Sequence, residues 1–153
     1  KHVSGSHMVL GEIDEGALRV CRQNIRRTGL SGQAVSMQLN ALEKAPKRLG
    51  EFDCIVSNPP YIPSAVIEEL EPEVRDHEPR GALDGTADGL YFYRKITKEA
   101  GKYLKPGGWL LYEIGCTQGE AVSEMLRNAG FEKVQVVKDL PGLDRVVMGQ
   151  KPL

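Results

Sequence analysis

The strongest constraint on what this chain can fold into is the alternation of short apolar runs with segments of helical period. Met8 to Ile13 reads as a strand. Glu15 to Arg27 reads as a helix, because Ala17, Leu18, Cys21 and Ile25 recur at helical spacing. Thr28-Gly29 ends it, with Gly29 as the C-cap glycine. Ala34 to Leu39 is a second strand, and Lys44 to Gly50 is a polar connection. Phe52 to Ser57 is a third strand, apolar enough to be buried on both faces. Asp88 to Tyr103 reads as a helix with Leu90, Ile96 and Leu104 toward the core. Lys105-Pro106-Gly107-Gly108 is a tight turn before a fourth strand, Trp109 to Ile114. Gln118 to Asn128 is a helix, and Phe131 to Lys138 a fifth strand. Pro141-Gly142 turns the chain into a last strand, Arg145 to Gln150, as an antiparallel partner. Strands alternating with helices predict an α/β fold: a mostly parallel sheet with helices on both faces and one antiparallel C-terminal strand at an end.

Between the third strand and the next long helix, residues 62–86 carry Pro63, Pro72 and Pro79 and the acids Glu68, Glu69, Glu71, Glu73, Asp76 and Glu78. This predicts a long ordered excursion with at most a short helix near Ala65 to Leu70. Segments of that length are usually functional or mobile. The acidic set reads as a solvated flank or as a surface for a basic partner.

Composition narrows the function classes. The chain has 153 residues, 41% hydrophobic and 27% charged, with a net charge of −1. That suits one globular domain and gives no global sign of DNA, RNA or an anionic membrane as partner. There is no apolar run near ~20 residues, so no membrane span is expected. Cys21, Cys54 and Cys116 lie far apart, in or beside apolar segments, and read as reduced and mostly core, which fits a cytoplasmic protein. His2, His7 and His77 are equally scattered, so no metal site is expected. Trp109 and Phe131 read as core, and Asp139, Asp144 and Arg145 as structural groups bracketing a turn.

The informative motif is Asn58-Pro59-Pro60-Tyr61, at the end of the third strand. Ligands of open α/β sheets bind beyond the carboxyl ends of the strands. Asn58 offers a side-chain carbonyl acceptor. The Pro59 carbonyl is a second, held at a fixed angle because Pro60 restricts the residue before it. Two acceptors can hold both N–H bonds of a planar amino group and turn its lone pair toward an electrophile. The Tyr61 ring can pack on that group and exclude water. The bland alternative is an ordinary turn, since Asn-Pro and Pro-Pro are turn signals. Glu12 ends the first strand before a helix, where an acid of a dinucleotide-type fold accepts from ribose hydroxyls; on this residue alone the solvated acid at a strand end is the favoured reading. The strand and Gly-rich turn that should precede such an acid by ~20 residues have no counterpart in the 11 residues before Glu12. The chain is therefore read as a piece of a longer one.

These blocks together resemble a known family. "NPPYIP", "LEPEVRDHEPRGALDGTADGL", "KPGGWLLYEIGCTQGEAV" and "DLPGLDRVVMG" succeed one another as in the release-factor glutamine N5-methyltransferases, the HemK type of class I S-adenosylmethionine-dependent enzymes. The resemblance covers nearly the whole chain. Asn-Pro-Pro-Tyr alone is shared with adenine N6 methyltransferases; "EPRGALDG" and "DLPGLDRV" are more specific to the glutamine branch. The resemblance implies a Rossmann-like seven-stranded sheet with an antiparallel last strand. It implies that residues 1–153 are a partial catalytic domain lacking the first strand, the Gly-rich loop and any N-terminal helical substrate domain. It implies S-adenosylmethionine as cofactor, with Glu12 at the ribose and Asn58 at the cofactor as well as the substrate. Where the family often has an Asp near the adenine, this chain has Asn40 in "LNALEKAP". Asn58, Pro59, Pro60 and Tyr61 would form the amide-holding corner. Apart from the resemblance, Glu78-Pro79-Arg80 and Asp84-Gly85 lie on the long excursion and read as lining the substrate entrance, unless Arg80 and the acids only form surface pairs. Glu113 either faces the cofactor cleft or is a satisfied structural acid.

The implied reaction is methyl transfer to the side-chain nitrogen of a glutamine in a peptide chain release factor. Two other readings compete: a nucleic-acid amino methyltransferase using the same corner, and a non-catalytic piece that keeps the fold alone. The first lacks a Lys/Arg cluster near Tyr61, and phosphate contacts dominate such binding.

Overall fold

The computed structural model describes residues 5–46 and 49–153. They divide into two compact units, Lys1–Lys47 and Arg48–Leu153. The polar connection expected at residues 44–50 lies partly outside the described residues.

The first unit is a strand–helix–strand motif. Strands β1 (Met8–Glu12) and β2 (Ala34–Gln38) pair in parallel, Met8 opposite Ala34 and Glu12 opposite Gln38. Helix α1 (Glu15–Arg27) joins them and starts where the sequence predicts. Asp14 is its N-cap: Oδ1 accepts from the Ala17 N–H at 2.7 Å, a contact typical of a good cap. Glu15 in the first turn and Arg26 and Arg27 in the last complement the helix dipole. Thr28 closes the helix and Gly29 takes φ +70°. Of the apolar stripe, only Leu18 is buried. Ala17, Cys21 and Ile25 instead border an open apolar cleft of about 580 Å³ with Leu10 and Leu30.

The second unit holds a four-stranded sheet in the order β3 (Phe52–Ser57), β4 (Leu104–Glu113), β6 (Asp144–Gln150), β5 (Glu132–Lys138). Strand β3 is parallel to β4, and β6 is antiparallel to both its neighbours. The single antiparallel C-terminal strand is as expected, but it is inserted between β4 and β5 rather than added at an edge. The one continuous sheet of the sequence reading is, among the described residues, a pair of strands and a separate set of four.

Helices α4 (Tyr91–Ala100) and α5 (Gly119–Asn128) supply the core of this unit. Tyr93, Ile96, Ala100, Leu110, Tyr112, Ile114, Val122, Leu126 and Val147 form one buried cluster, with Phe131. Trp109, expected in the core, is half-buried. Helix α4 begins later than the predicted Asp88, because Gly89 has φ +70° and the Asp88 carboxylate accepts from the Leu90 N–H.

Three other expectations change. Strand β3 is not buried on both faces: Cys54 and Val56 are exposed, Val56 at 73%. They alternate with Ile55, which packs on the core cluster, so only one face of β3 is covered. The cysteines are free, but Cys54 and Cys116 are exposed and Cys21 is half-buried, so none is a core thiol. Lys105–Gly108 lies within β4 as an irregularity: Phe52 pairs with Leu104 and Cys54 with Trp109, so β4 carries extra residues opposite Asp53. Gly107 makes its bend at φ +76°.

The excursion after β3 is more helical than predicted. A 3₁₀ turn, Ile67–Glu69, sits where a short helix was expected, and two single-turn helices come after it, α2 (Pro72–Arg75) and α3 (Arg80–Leu83). Pro72 starts α2 at a position where its missing N–H costs nothing, and Pro79 immediately precedes α3. Ile67 and Leu83 are buried and tether the segment. No helix among the described residues is long and apolar enough to cross a membrane.

Candidate active site

The Asn58–Tyr61 corner stands at the carboxyl end of β3. Asn58 is exposed, and its side-chain amide has no hydrogen-bond partner among the described residues. Pro59 is buried and Pro60 half-buried. The corner is thus anchored through its proline rings and presents an unengaged amide. The Tyr61 ring is half-buried and packs against the core cluster.

The segment after Tyr61 is clamped to the "EPRGALDG" block. Ile62 forms a parallel bridge to Asp84: its N–H donates to the Leu83 carbonyl at 3.0 Å, and its carbonyl accepts from Gly85 at 2.8 Å. The Ser64 N–H donates to the Thr86 carbonyl at 3.0 Å, and its hydroxyl to Asp84 Oδ1 at 2.6 Å. That same oxygen accepts from the Thr86 N–H at 2.9 Å. The Ser64 hydroxyl foremost, then the Thr86 N–H, hold the Asp84 carboxyl below its ordinary range. The pairing explains why Gly85 is needed: a Cβ there would lie 2.8 Å from the Tyr61 backbone.

The residues expected to line the entrance sit on this segment. Arg80 begins α3, is exposed, and pairs with Glu68 at 3.0 Å and with Asp84 at 3.6 Å. Glu78 is exposed and without an ion pair among the described residues. Arg145 pairs with Asp139 at 3.0 Å and donates to the Ile114 carbonyl at 3.2 Å. The Leu143 N–H above all, with Arg145, holds the Asp139 carboxyl low, so these groups brace the turn as expected. The Glu113 carbonyl accepts from the Tyr93 hydroxyl at 2.9 Å.

One residue that sequence reasoning missed is Gln118, between β4 and α5. Its Nε2 donates to the carbonyls of Tyr61 at 3.0 Å and Gly89 at 3.3 Å, and its Oε1 accepts from the Gly115 N–H at 3.0 Å. The only hint in the sequence is a polar residue at a loop-to-helix junction; its partner is far away in the chain.

In the first unit, Glu12 and Asn40 come together at the carboxyl ends of the parallel strands. The Leu39 N–H donates to the Glu12 carbonyl at 3.0 Å. Glu12 Oε1 accepts from the N–H groups of Ile13 and Asp14 at 2.7 and 2.9 Å, which fixes the carboxylate; Oε2 has no hydrogen-bond partner among the described residues. Asn40 is drawn into a local turn: Nδ2 donates to Glu43 and Oδ1 accepts from Leu42, both within 3.0 Å. Among the described residues, one acceptor position remains on Oδ1.

A family model described as conserved hypothetical protein 95 matches residues 4–83, more than half of the chain. The chain belongs to that family. The resemblance seen in the sequence blocks is also borne out. The chain is 44% identical, over 98% of its own length and 51% of the relative's, to the release factor glutamine methyltransferase of Geobacter sulfurreducens. It is 47% identical to that of Caulobacter vibrioides over 88% of this chain and 46% of the relative. It spans about half the length of these curated relatives. Among solved structures, a methyltransferase from Pyrococcus furiosus is similar at a TM-score of 0.68 and 20% identity, over 96% of this chain and 64% of that one. The protein-(glutamine-N5) methyltransferase of Alicyclobacillus acidocaldarius is similar at a TM-score of 0.53 and 24% identity, over 100% of this chain and 84% of that one. The fold is that of the class I methyltransferases.

Proposed function

We propose that this chain is a partial catalytic domain of an enzyme that methylates the side-chain nitrogen of a glutamine in a peptide chain release factor. The observation that carries the reading is the corner itself: an exposed, unengaged Asn58 amide beside a buried proline at the end of β3. Identity of 44% over 98% of the chain to a release factor glutamine methyltransferase supports the choice of substrate. A cytoplasmic location goes with that partner.

The residues present fit S-adenosylmethionine. Glu12 would accept from the ribose hydroxyls through its unengaged Oε2, and the remaining acceptor position of Asn40 suits an adenine amino group. Bound there, the cofactor supplies an electrophilic methyl group. Asn58 and the Pro59 carbonyl would accept the two N–H bonds of the substrate amide, and Pro60 fixes the angle between them. The Tyr61 ring would lie on the amide plane and keep water out. An amide nitrogen is a poor nucleophile, so the rate must come from positioning and from acceptors aimed at the charge that develops on nitrogen. Glu78 and Arg80 would edge the entrance. Removal of the proton before methyl transfer is unnecessary, and it leaves afterwards to water.

The nucleic-acid reading finds less support. Arg80, Arg94 and Arg145, on the elements around Tyr61, are each paired with a carboxylate rather than left for phosphate. The decisive experiment is methyl transfer by the full-length protein to release factor, with wild type and Asn58→Ala. The wild type is expected to transfer, and the variant to lose on the order of 10²-fold or more in kcat, as for removal of one oriented catalytic hydrogen-bonding group. Equal turnover by the two proteins would sink the proposal.

A further inference from the structure

We infer that Gln118 is a positioning residue for the Asn58–Tyr61 corner; the inference rests on the functional reading above. The prolines fix the corner only as far as Tyr61. Their rings set φ at two successive residues, but nothing in them sets the peptide that comes after Tyr61. That peptide is held by tertiary contacts on both of its polar groups. The Ile62 N–H donates to the Leu83 carbonyl, and the Tyr61 carbonyl accepts from Gln118 Nε2. Gln118 therefore completes the restraint that the prolines begin, and with it the stance of the Tyr61 ring.

The amide is well suited to this. A primary amide has two donors and one strong acceptor oxygen. Gln118 uses both donors, on Tyr61 and Gly89, and its oxygen on the Gly115 N–H. The Tyr93 hydroxyl lies 3.4 Å from the same oxygen. Three backbone segments remote in sequence thus converge on one side chain: the end of the corner, the approach to α4 and the exit of β4. Two glycines make the approach possible. A Cβ on Gly89 would collide with the Tyr61 carbonyl and lie 2.8 Å from Gln118 Nε2, and one on Gly115 would lie 3.0 Å from Gln118 Oε1 and 3.4 Å from the Tyr61 ring. The half-buried position of Gln118 keeps water from replacing it cheaply.

Two substitutions in the full-length protein separate positioning from loop stapling. Gln118→Met removes all the bonds at similar volume. Gln118→Glu keeps an acceptor for Gly115 but turns carboxylate oxygens toward the Tyr61 and Gly89 carbonyls. Both variants are expected to lose on the order of 10²-fold in kcat for release-factor methylation, the cost of a small misplacement at a reacting group. KM for the release factor and calorimetric affinity for S-adenosylmethionine should stay within about twofold, since such a loss falls on the transition state alone. Amide hydrogen exchange at Ile62, Ser64 and Gly85 should speed up about tenfold or more in both, with Val122 and Val147 unchanged, because local opening is released without global unfolding. An active wild type with variants of unchanged kcat would overturn the inference. Unchanged exchange at Ile62, Ser64 and Gly85 would overturn it too, whatever the activity. A wild type inactive on release factor would remove the functional reading, while the exchange data still decide whether Gln118 holds the corner.

Discussion

Gln118 donates from its side-chain amide to the backbone carbonyl of Tyr61, 57 residues earlier in the chain, at 3.0 Å. The same carbonyl limits what can stand at residue 89. Gly89 has φ +70°, and a Cβ there would meet the Tyr61 oxygen. Gly89→Ala therefore combines a left-handed backbone cost of about 1–2 kcal/mol with a clash against the corner. The expected outcome is a less stable protein, with the midpoint of urea unfolding lowered, and a kcat for methyl transfer reduced about tenfold or more. The double variant Gly89→Ala with Gln118→Met should lose less than the sum, because both act on one carbonyl. Strict additivity would show that the two positions do not share it.

Much of this arrangement could be read from the sequence, and the part that could not has a physical reason. Helix α1 was legible because its signals are local: a period-3.6 stripe, and Gly29 to stop it; its Asp14 cap is equally local but was not used. The corner was legible because two prolines carry their geometry with them. Gln118 was not, since its role exists only once Gly89 and Tyr61 have been brought beside it. Helices α2 and α3 were missed because prolines read as breakers, although Pro72 sits at the one place in a helix where proline helps. The exposure of Cys54 and Val56 was missed because an apolar run says that a strand is sticky, not how many of its faces are covered.

Acid should weaken the loop before α4 through Asp88. Its carboxylate accepts from Arg94 at 2.9 Å on both oxygens and from the Leu90 N–H at 3.0 Å. Arg94 above all, then Leu90, lowers its pKa from the ordinary 3.8 to about 2. A lowered folded-state pKa means that the charged form favours the fold. The contribution is complete above about pH 3.8 and is lost as the pH falls toward about 2. The melting temperature of wild type should therefore exceed that of Asp88→Asn by a small constant amount from pH 5 to 7. The gap should shrink below about pH 3.8 and close only as the pH falls through about 2. Because the pair is exposed, salt should narrow it as well. A gap that persists at low pH would assign the difference to something other than this charge.

Within the core, Tyr112 and Thr97 share a hydrogen bond of 2.9 Å between their hydroxyls, with Tyr112 fully buried. Burial also pushes the Tyr112 phenol well above its ordinary pKa, so it stays protonated. Tyr112→Phe leaves the Thr97 hydroxyl buried without that partner, which should cost about 1–3 kcal/mol. Thr97→Val should cost a similar amount for the converse reason. With both changed no polar group is stranded, so the pair should show a coupling of about 1 kcal/mol by urea unfolding of the four proteins. Additive losses would mean that the two hydroxyls do not depend on each other.

Glu12 offers the sharpest test of the proposed cofactor contact, because its two oxygens have separate duties. Oε1 holds the turn into α1 through the N–H groups of Ile13 and Asp14, and Oε2, which makes no hydrogen bond among the described residues, is the oxygen proposed to meet the cofactor. Glu12→Ala removes both functions. Glu12→Gln keeps an oxygen for the turn but gives up the charge and replaces Oε2 by a donor. A hydrogen bond to a charged group contributes about 1.5–3 kcal/mol, or roughly 10- to 100-fold in affinity. Calorimetric titration of the full-length protein with S-adenosylmethionine should show Glu12→Gln weakened by about that factor at unchanged melting temperature. Glu12→Ala should bind at least as poorly and also melt earlier. If Glu12→Gln bound the cofactor as tightly as wild type, the carboxylate would be a helix-entry brace and nothing more, and the ribose would have to be held elsewhere.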